Sequence, residues 1–315
     1  MRSRKTKAVT TQTSSAGIQA EPSLEAVSFF PFARYTSIVG VHTSLLAFSA
    51  LLLPTTPVSL LSKGFPLTSG DAGERPRRDV LEVLTENPAR TVAWMCAGAF
   101  ILQGWWASWV KTWSLELRGQ SNGREGAPPD SAEVAKQKLE RRDSGNQRIT
   151  ALLKAGLLTL AASVMFHIVT VLFGAPLTSH LLQTYVMSLL LAMLTVLPPA
   201  YTLGLPSLGS DSPSLVSWFT WVRLFAELSP RSPIERALVF PAVGAVMGSW
   251  AGAIPIGLDW ERPWQAWPLT PAFGAVGGYI VGSLVALVVS ATYAFAQVDR
   301  DAQQAQAQAG KTKKS

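Results

Sequence analysis

Charged residues and cysteine are both scarce in this chain of 315 residues. Charged side chains make up only 15% of it, whereas soluble domains carry about 25%. The single cysteine, Cys96, excludes an internal disulfide framework. The three histidines, His42, His167 and His180, lack the spacing of metal ligands, and the sequence has no P-loop, GxSxG or HExxH motif. We therefore expect no metal, no cofactor and no catalytic residue of these classes.

Long uncharged runs dominate the rest of the chain. The longest, between Lys154 and Asp211, has 56 residues, enough for two membrane crossings of about 20 residues each. It breaks at the turn-forming residues 174–176. The apolar residues cover the whole circumference of each run, unlike the one-sided stripe of a soluble helix. We predict an all-α polytopic membrane protein with six spans, at about 35–53, 91–110, 153–173, 181–203, 237–256 and 268–292.

The distribution of basic residues predicts the orientation. If both termini are cytoplasmic, 21 of the 27 Lys and Arg residues lie on that side, as the positive-inside rule requires. The basic cluster at 75–78 is the exception. The predicted organisation is a disordered basic tail (1–33), a six-helix membrane domain (34–292) and a C-terminal tail (293–315). Lys311 and Lys313 in that tail resemble a dilysine signal for retrieval to the endoplasmic reticulum.

Glycines recur every four residues in the last two predicted spans. This spacing gives each helix one face without side chains, on which another helix can pack backbone to backbone. The two faces could pack against each other or dock on a transmembrane helix of a partner. The helix-docking residues are Gly244, Gly248, Gly252, Gly274, Gly278 and Gly282.

Tryptophans bracket the second predicted span. An indole ring is large and apolar but carries one N–H donor, so tryptophan is enriched at the membrane–water boundary. We therefore predict that these side chains form interfacial belts. They are Trp94, Trp105, Trp106, Trp109 and Trp113.

The segment 248–268, between the last two spans, combines four tryptophans and three prolines with Asp259, Glu261 and Arg262. The two carboxylates could perform acid–base chemistry on a lipid, and the guanidinium could bind a phosphate. Alternatively, Asp259 and Arg262 could pair and brace a turn. One arginine with two acids is nearly self-neutralising, which favours bracing over catalysis.

The same segment resembles the signature of the Pig-F family of glycosylphosphatidylinositol (GPI) anchor biosynthesis. The run LDWERPWQ at 258–265 carries most of the resemblance, although Gly257 stands where the family has proline. The other matching residues are Gly248, Trp250, Gly252, Ala253, Pro255, Ile256, Trp267, Pro268, Gly274, Gly278, Tyr279 and Gly282.

The resemblance implies a multi-pass protein of the endoplasmic reticulum membrane, and the Ser/Pro-rich insertions resemble a fungal member. It implies a non-catalytic subunit that associates with GPI ethanolamine-phosphate transferases and stabilises them, while the partner carries the metal and the chemistry. Membrane lipid, including the GPI precursor, is a further expected partner. The expected lipid- or partner-binding residues are Trp250, Pro255, Asp259, Trp260, Glu261, Arg262, Pro263, Trp264, Gln265, Trp267 and Pro268.

Two other functions stay open from the residues alone. A membrane-embedded lipid-modifying enzyme would act through Asp259, Glu261 and Arg262. A lipid transporter would need a polar path, but the predicted spans contain only two histidines and scattered Ser, Thr and Gln. The net charge is +7, but the Lys and Arg residues that produce it flank the apolar spans. We therefore do not expect nucleic-acid binding.

Overall fold

Helices form almost the whole of the structure, which is a computed structural model. It describes residues 31–55, 80–121, 131–176, 178–207 and 209–312. The predicted disordered tail, the basic cluster at 75–78 and Lys313 lie outside these residues, apart from positions 31–33. The helices of the described part are α1 (Phe32–Leu52), α2 (Val80–Glu86), α3 (Pro88–Ser121), α4 (Ser131–Leu172), α5 (Leu181–Thr195), α6 (Leu197–Leu203), α7 (Ser212–Trp221), α8 (Pro233–Ala253) and α9 (Leu269–Thr312).

Among the described residues, five segments are long and apolar enough to cross a membrane, which makes this a multi-pass membrane protein. The second predicted span, 91–110, is not one of them and lies within α3. This helix has 34 residues and is therefore long enough to cross a membrane. Its composition is less apolar than that of the five segments, because it contains Gln103 and several amphipathic tryptophans. The five segments are Phe32–Leu52, Gly145–Leu172, Leu181–Leu203, Pro233–Gly257 and Leu269–Ala307.

Local sequence explains where the central helices end. The predicted break at 174–176 separates α4 from α5, and Gly174 there has φ of 102°, which glycine adopts without steric cost. Pro198 has no N–H to continue the helical ladder, and α5 gives way to α6 just before it. Helix α4 runs without a break from Ser131 to Leu172.

A bidentate ion pair fixes the start of α8. Arg223 Nη2 and Nη1 donate to Glu235 at 2.7 and 3.0 Å. Glu235 also accepts from the backbone N–H of Ser232, whose hydroxyl accepts from the Glu235 N–H in return, forming a capping box. The hydrogen bonds to Glu235 raise the pKa of Arg223 above its usual range. The pair thus anchors the connection from α7 to α8.

A buried aromatic face joins α1 to α3. The Tyr35 ring lies 6.2 Å from that of Trp109 and 5.2 Å from that of Trp113, and His42 stacks on Trp106 at 4.9 Å. Trp106 and Trp113 are only 1% and 2% exposed. For these two residues the interfacial-belt interpretation was wrong, because their rings fill the space between helices. Trp105, whose ring centroid lies 6.1 Å from that of His42, is 42% exposed.

Candidate functional site

The connection between α8 and α9, residues 254–268, is the candidate site; we call it the α8–α9 loop. It consists of two short 3₁₀ turns, Ile254–Gly257 and Pro263–Gln265, joined by an extended stretch. Proline occupies an early position in both turns, where its fixed φ suits the geometry and its missing N–H costs little. Glu261, in the stretch between them, has a positive φ of 47°. The loop therefore has a defined backbone.

Gln265 holds the two turns together. Its side-chain Nε2 donates to the carbonyl oxygens of Pro255 and Leu258 at 2.6 and 2.7 Å. Its Oε1 accepts from the backbone N–H of Arg262 at 2.8 Å. One neutral amide thus satisfies three backbone groups that lie outside regular helix. The bracing that we expected from a pair between Asp259 and Arg262 is made by Gln265.

The three charged residues of the loop do not form the predicted brace. Asp259, Glu261 and Arg262 are all exposed, and in the described part of the chain no ion pair involves any of them. Catalysis by two carboxylates requires side chains held within hydrogen-bonding reach of a reacting group. These three charges instead project from a braced backbone, an arrangement suited to contacting a charged surface.

Trp267 attaches the loop to the bundle. Its indole N–H donates to the Thr184 hydroxyl of α5 at 3.0 Å, and that hydroxyl bonds to the His180 carbonyl oxygen. Thr184 is fully buried, so the bond is shielded from water. Helix α2 contacts the second turn from the other side. The loop is consequently held against two other parts of the molecule.

The remaining residues that were predicted to bind lipid or a partner are either exposed or covered. Trp250 and Trp260 are 61% and 54% exposed, and Pro263 is also exposed. Pro255 and Trp264 are half-buried, and Pro268 is buried. The Trp264 ring meets that of Trp260 edge to face at 5.6 Å. Trp260 and Arg262 are therefore among the large side chains that the loop presents outward.

The two glycine stripes face each other across the antiparallel α8–α9 pair, a contact that we call the glycine seam. A methyl group on Gly248 would lie 2.9 Å from the Gly278 Cα, closer than real side chains approach. The sequence left open whether these glycines pack the two helices on each other or dock a partner's helix. In the structure they pack α8 on α9. The residues of the seam are Gly244, Gly248, Gly252, Gly274, Gly278 and Gly282. Their faces are used within the chain, so a partner needs another surface.

An apolar recess of about 770 Å³ opens beside the loop, between α4, α5 and α8. We call it the lateral recess. Ile256, Gly257 and Trp267 of the loop border it. No local sequence pattern predicts this feature, because its walls combine the consecutive helices α4 and α5 with the distant helix α8. No group of three or more potential metal ligands occurs among the described residues.

Comparison with known proteins identifies relatives over the same region. The model of "GPI biosynthesis protein family Pig-F" matches residues 78–287, which include the loop and the seam. A human protein, "GPI ethanolamine phosphate transferase, stabilizing subunit", is 34% identical over 145 residues, covering 46% of this chain and 61% of the relative. "Glycosylphosphatidylinositol anchor biosynthesis protein 11" of Pyricularia oryzae is 40% identical over 133 residues, covering 42% and 45%.

A third relative, the "PIGF/3-ketodihydrosphingosine reductase fusion protein" of Schizosaccharomyces pombe, is 36% identical over 126 residues, which is 40% of this chain and 23% of the relative. The chain thus covers less than two thirds of the length of each of these relatives. They come from an animal and from fungi, so the fungal origin stays a prediction. No solved structure gives a significant match.

Proposed function

This chain belongs to the Pig-F family of GPI biosynthesis proteins, and we propose that it is a non-catalytic subunit that stabilises a GPI ethanolamine-phosphate transferase. The observation that carries the proposal is the family match over residues 78–287, which spans the candidate site. The name of the human relative, a stabilizing subunit, supports the same role. The partner would be the catalytic subunit of the transferase.

The geometry of the α8–α9 loop supports binding over catalysis. Its charges are exposed and make no ion pairs with one another, whereas its backbone is braced by Gln265. Trp and Arg are the residue types that contribute most to protein interfaces, and Trp260 and Arg262 project from this rigid frame. A preorganised surface loses little conformational entropy on binding. We therefore place the transferase contact on this loop and not on the glycine seam.

We further propose that the protein lies in the endoplasmic reticulum membrane with both termini cytoplasmic and the loop in the lumen. The excess of Lys and Arg on the side of the termini supports this orientation. The rings of Phe32 in α1 and Phe295 in α9 lie 6.0 Å apart, so the start of α1 and the C-terminal part of α9 are at one end of the bundle. Lys311 and Lys313 would provide retrieval to this membrane.

Affinity purification from membranes tests the association. A tagged chain is extracted in mild detergent, and co-purifying proteins are identified by mass spectrometry. We expect the ethanolamine-phosphate transferase among them. Recovery of the properly folded chain without any transferase would contradict the proposal.

A paired variant tests the location of the contact. The combined change Trp260→Ala and Arg262→Glu removes the two projecting side chains, and we expect transferase recovery to fall on the order of tenfold, as for loss of interface hot spots. Trp218→Ala is the control. Trp218 is an exposed tryptophan too, at 40%, but it lies in α7, near the opposite end of α8. Equal recovery with both proteins would place the contact elsewhere.

A further inference from the structure

The lateral recess is a concave space with walls from three helices. Residues 166–173 at the end of α4 form one wall, α5 forms the back, and residues 246–253 of α8 form the other wall. Helix α4 packs on α5 and α6, while α8 packs on α9 and α5. The recess separates α4 from α8. The α4–α5 turn and the α8–α9 loop close it at one end, and it is open toward the side of the bundle.

The walls offer apolar contact and almost nothing else. None of the lining residues is charged. The hydroxyl of Thr170 donates to the Phe166 carbonyl oxygen at 2.7 Å, and that of Ser188 donates to the Thr184 carbonyl oxygen at 2.8 Å. Both donors are therefore already used within their own helices. Ser249 is the remaining serine of the lining. With no charged group beside it, this chemistry suits a hydrocarbon chain better than a charged headgroup.

The length of the recess decides between a lipid chain and a helix of another protein. The α8 wall, residues 246–253, extends about 12 Å at 1.5 Å per residue, less than half of the roughly 30 Å hydrocarbon core. A membrane-spanning helix would have to continue past the closed end. An acyl chain, by contrast, occupies one leaflet only.

The rim of the recess also differs from a helix-docking face. Transmembrane helices dock closely where small residues line the surface, and the glycine stripes that offer this are already covered by each other. The recess is bordered by bulky side chains instead: Phe173, Trp250 and Met247 are 81%, 61% and 57% exposed. Such side chains can close over a thin flexible chain.

We propose that the lateral recess binds one acyl chain of a membrane glycerophospholipid from the leaflet adjacent to the α8–α9 loop. The chain fills the space between α4 and α8, with its ester end at the level of Trp267 and its headgroup outside the recess. The lipid then acts as a structural component that supports the α4–α8 side of the bundle beneath the loop. This inference does not depend on the proposed association with a transferase.

Photo-crosslinking tests the proposal on the full-length chain. The purified protein is reconstituted in vesicles of phosphatidylcholine that carries a diazirine in one acyl chain, illuminated, and analysed by peptide mass spectrometry. We expect adducts to concentrate on the peptides that contain 166–173 and 246–253. Labelling spread evenly over the membrane-facing surfaces of α1, α4 and α9 would overturn the proposal.

Two matched variants sharpen the test. Val246→Phe places a ring in the recess, and the same substitution at Val281, which is 60% exposed on α9 and does not line the recess, is the control. We expect Val246→Phe to lower adduct yield in the recess several-fold, because the ring takes the space of the acyl chain and the close packing contacts there are lost. Val281→Phe should leave it unchanged. Ala253→Phe, at the other end of the α8 wall, is a second blocking variant in case Val246→Phe fails to fold.

The outcomes separate this inference from the proposed function. Specific recess labelling of the chain alone supports the lipid site even if no transferase co-purifies. Equal labelling of the two Val→Phe variants overturns it. The same holds if cross-linking in native membranes joins the recess to a helix of another protein, or if the lipid recovered from it is only the GPI precursor and no other phospholipid.

Discussion

The glycine seam between α8 and α9 and the aromatic face between α1 and α3 hold the same bundle together by opposite means. At the seam, backbone meets backbone, and a single added methyl group has no room. At the aromatic face, Tyr35, Trp106 and Trp113 fill a wider gap with ring contacts of about 5–6 Å. Lipid tails are as apolar as these side chains, so close packing and not hydrophobic burial has to stabilise both contacts. The seam is the less tolerant of the two to added volume.

The largest effect is expected at the seam. Gly248→Leu or Gly278→Leu forces a four-carbon side chain between two backbones, and we expect loss of the folded protein, an effect well beyond the roughly 1–3 kcal/mol of ordinary overpacking. The measurement is the yield of monodisperse protein and its unfolding temperature in detergent.

Gly277→Leu is the control for this prediction. Gly277 is the direct neighbour of Gly278, but a side chain there would meet nothing within 4 Å. We expect near-normal yield. Similar loss in both proteins would contradict a specific role of the seam.

A smaller effect is expected at the aromatic face. Trp106→Ala removes a ring that is 1% exposed and stacked on His42, and leaves a cavity that costs about 3–5 kcal/mol in well-packed proteins. The adjacent Trp105→Ala removes a ring that is 42% exposed and lies 6.1 Å from that of His42, and should cost clearly less than Trp106→Ala. Thermal unfolding of the two variants compares them directly. Equal destabilisation would restore the interfacial-belt interpretation for both tryptophans.

The loop should show a still smaller and local effect. Gln265→Leu leaves the Pro255 and Leu258 carbonyl groups and the Arg262 N–H without their partner. Because the loop is partly exposed and water can replace the amide, we expect about 1 kcal/mol, the low end for such a loss. Hydrogen exchange at the Arg262 amide should accelerate. Gln265→Glu keeps an acceptor for that amide and should protect it better; equal exchange in both variants would contradict the bracing role.

The two regions also differ in how well sequence predicts them. Glycines at four-residue spacing have few uses in an apolar helix, so the spacing of Gly244 to Gly252 and of Gly274 to Gly282 is enough to indicate close packing. Tryptophan is ambiguous, because the same indole suits a membrane boundary and a helix interface. Trp106 and Trp113 face inward only because α1 places Tyr35 and His42 opposite them, and local sequence does not contain that pairing.

The same reasoning applies to the candidate site. The helix break at 174–176 and the position of the loop follow from local residue types. The role of Gln265 does not, since its partners Pro255 and Leu258 come within reach only when the two turns fold back on each other. The charges of Asp259 and Arg262 suggested an ion pair, but the neutral amide of Gln265 makes the bracing hydrogen bonds.

The central claim is that the chain stabilises a transferase without taking part in its chemistry. The most direct test expresses the combined variant Asp259→Asn and Glu261→Gln in place of the natural chain, and measures both the amount of transferase polypeptide and ethanolamine-phosphate transfer in the membranes. We predict that transfer relative to the amount of transferase stays close to normal, because these carboxylates are exposed and make no ion pairs within the described structure. A normal amount of transferase with transfer abolished would contradict the account and assign the chemistry to this loop.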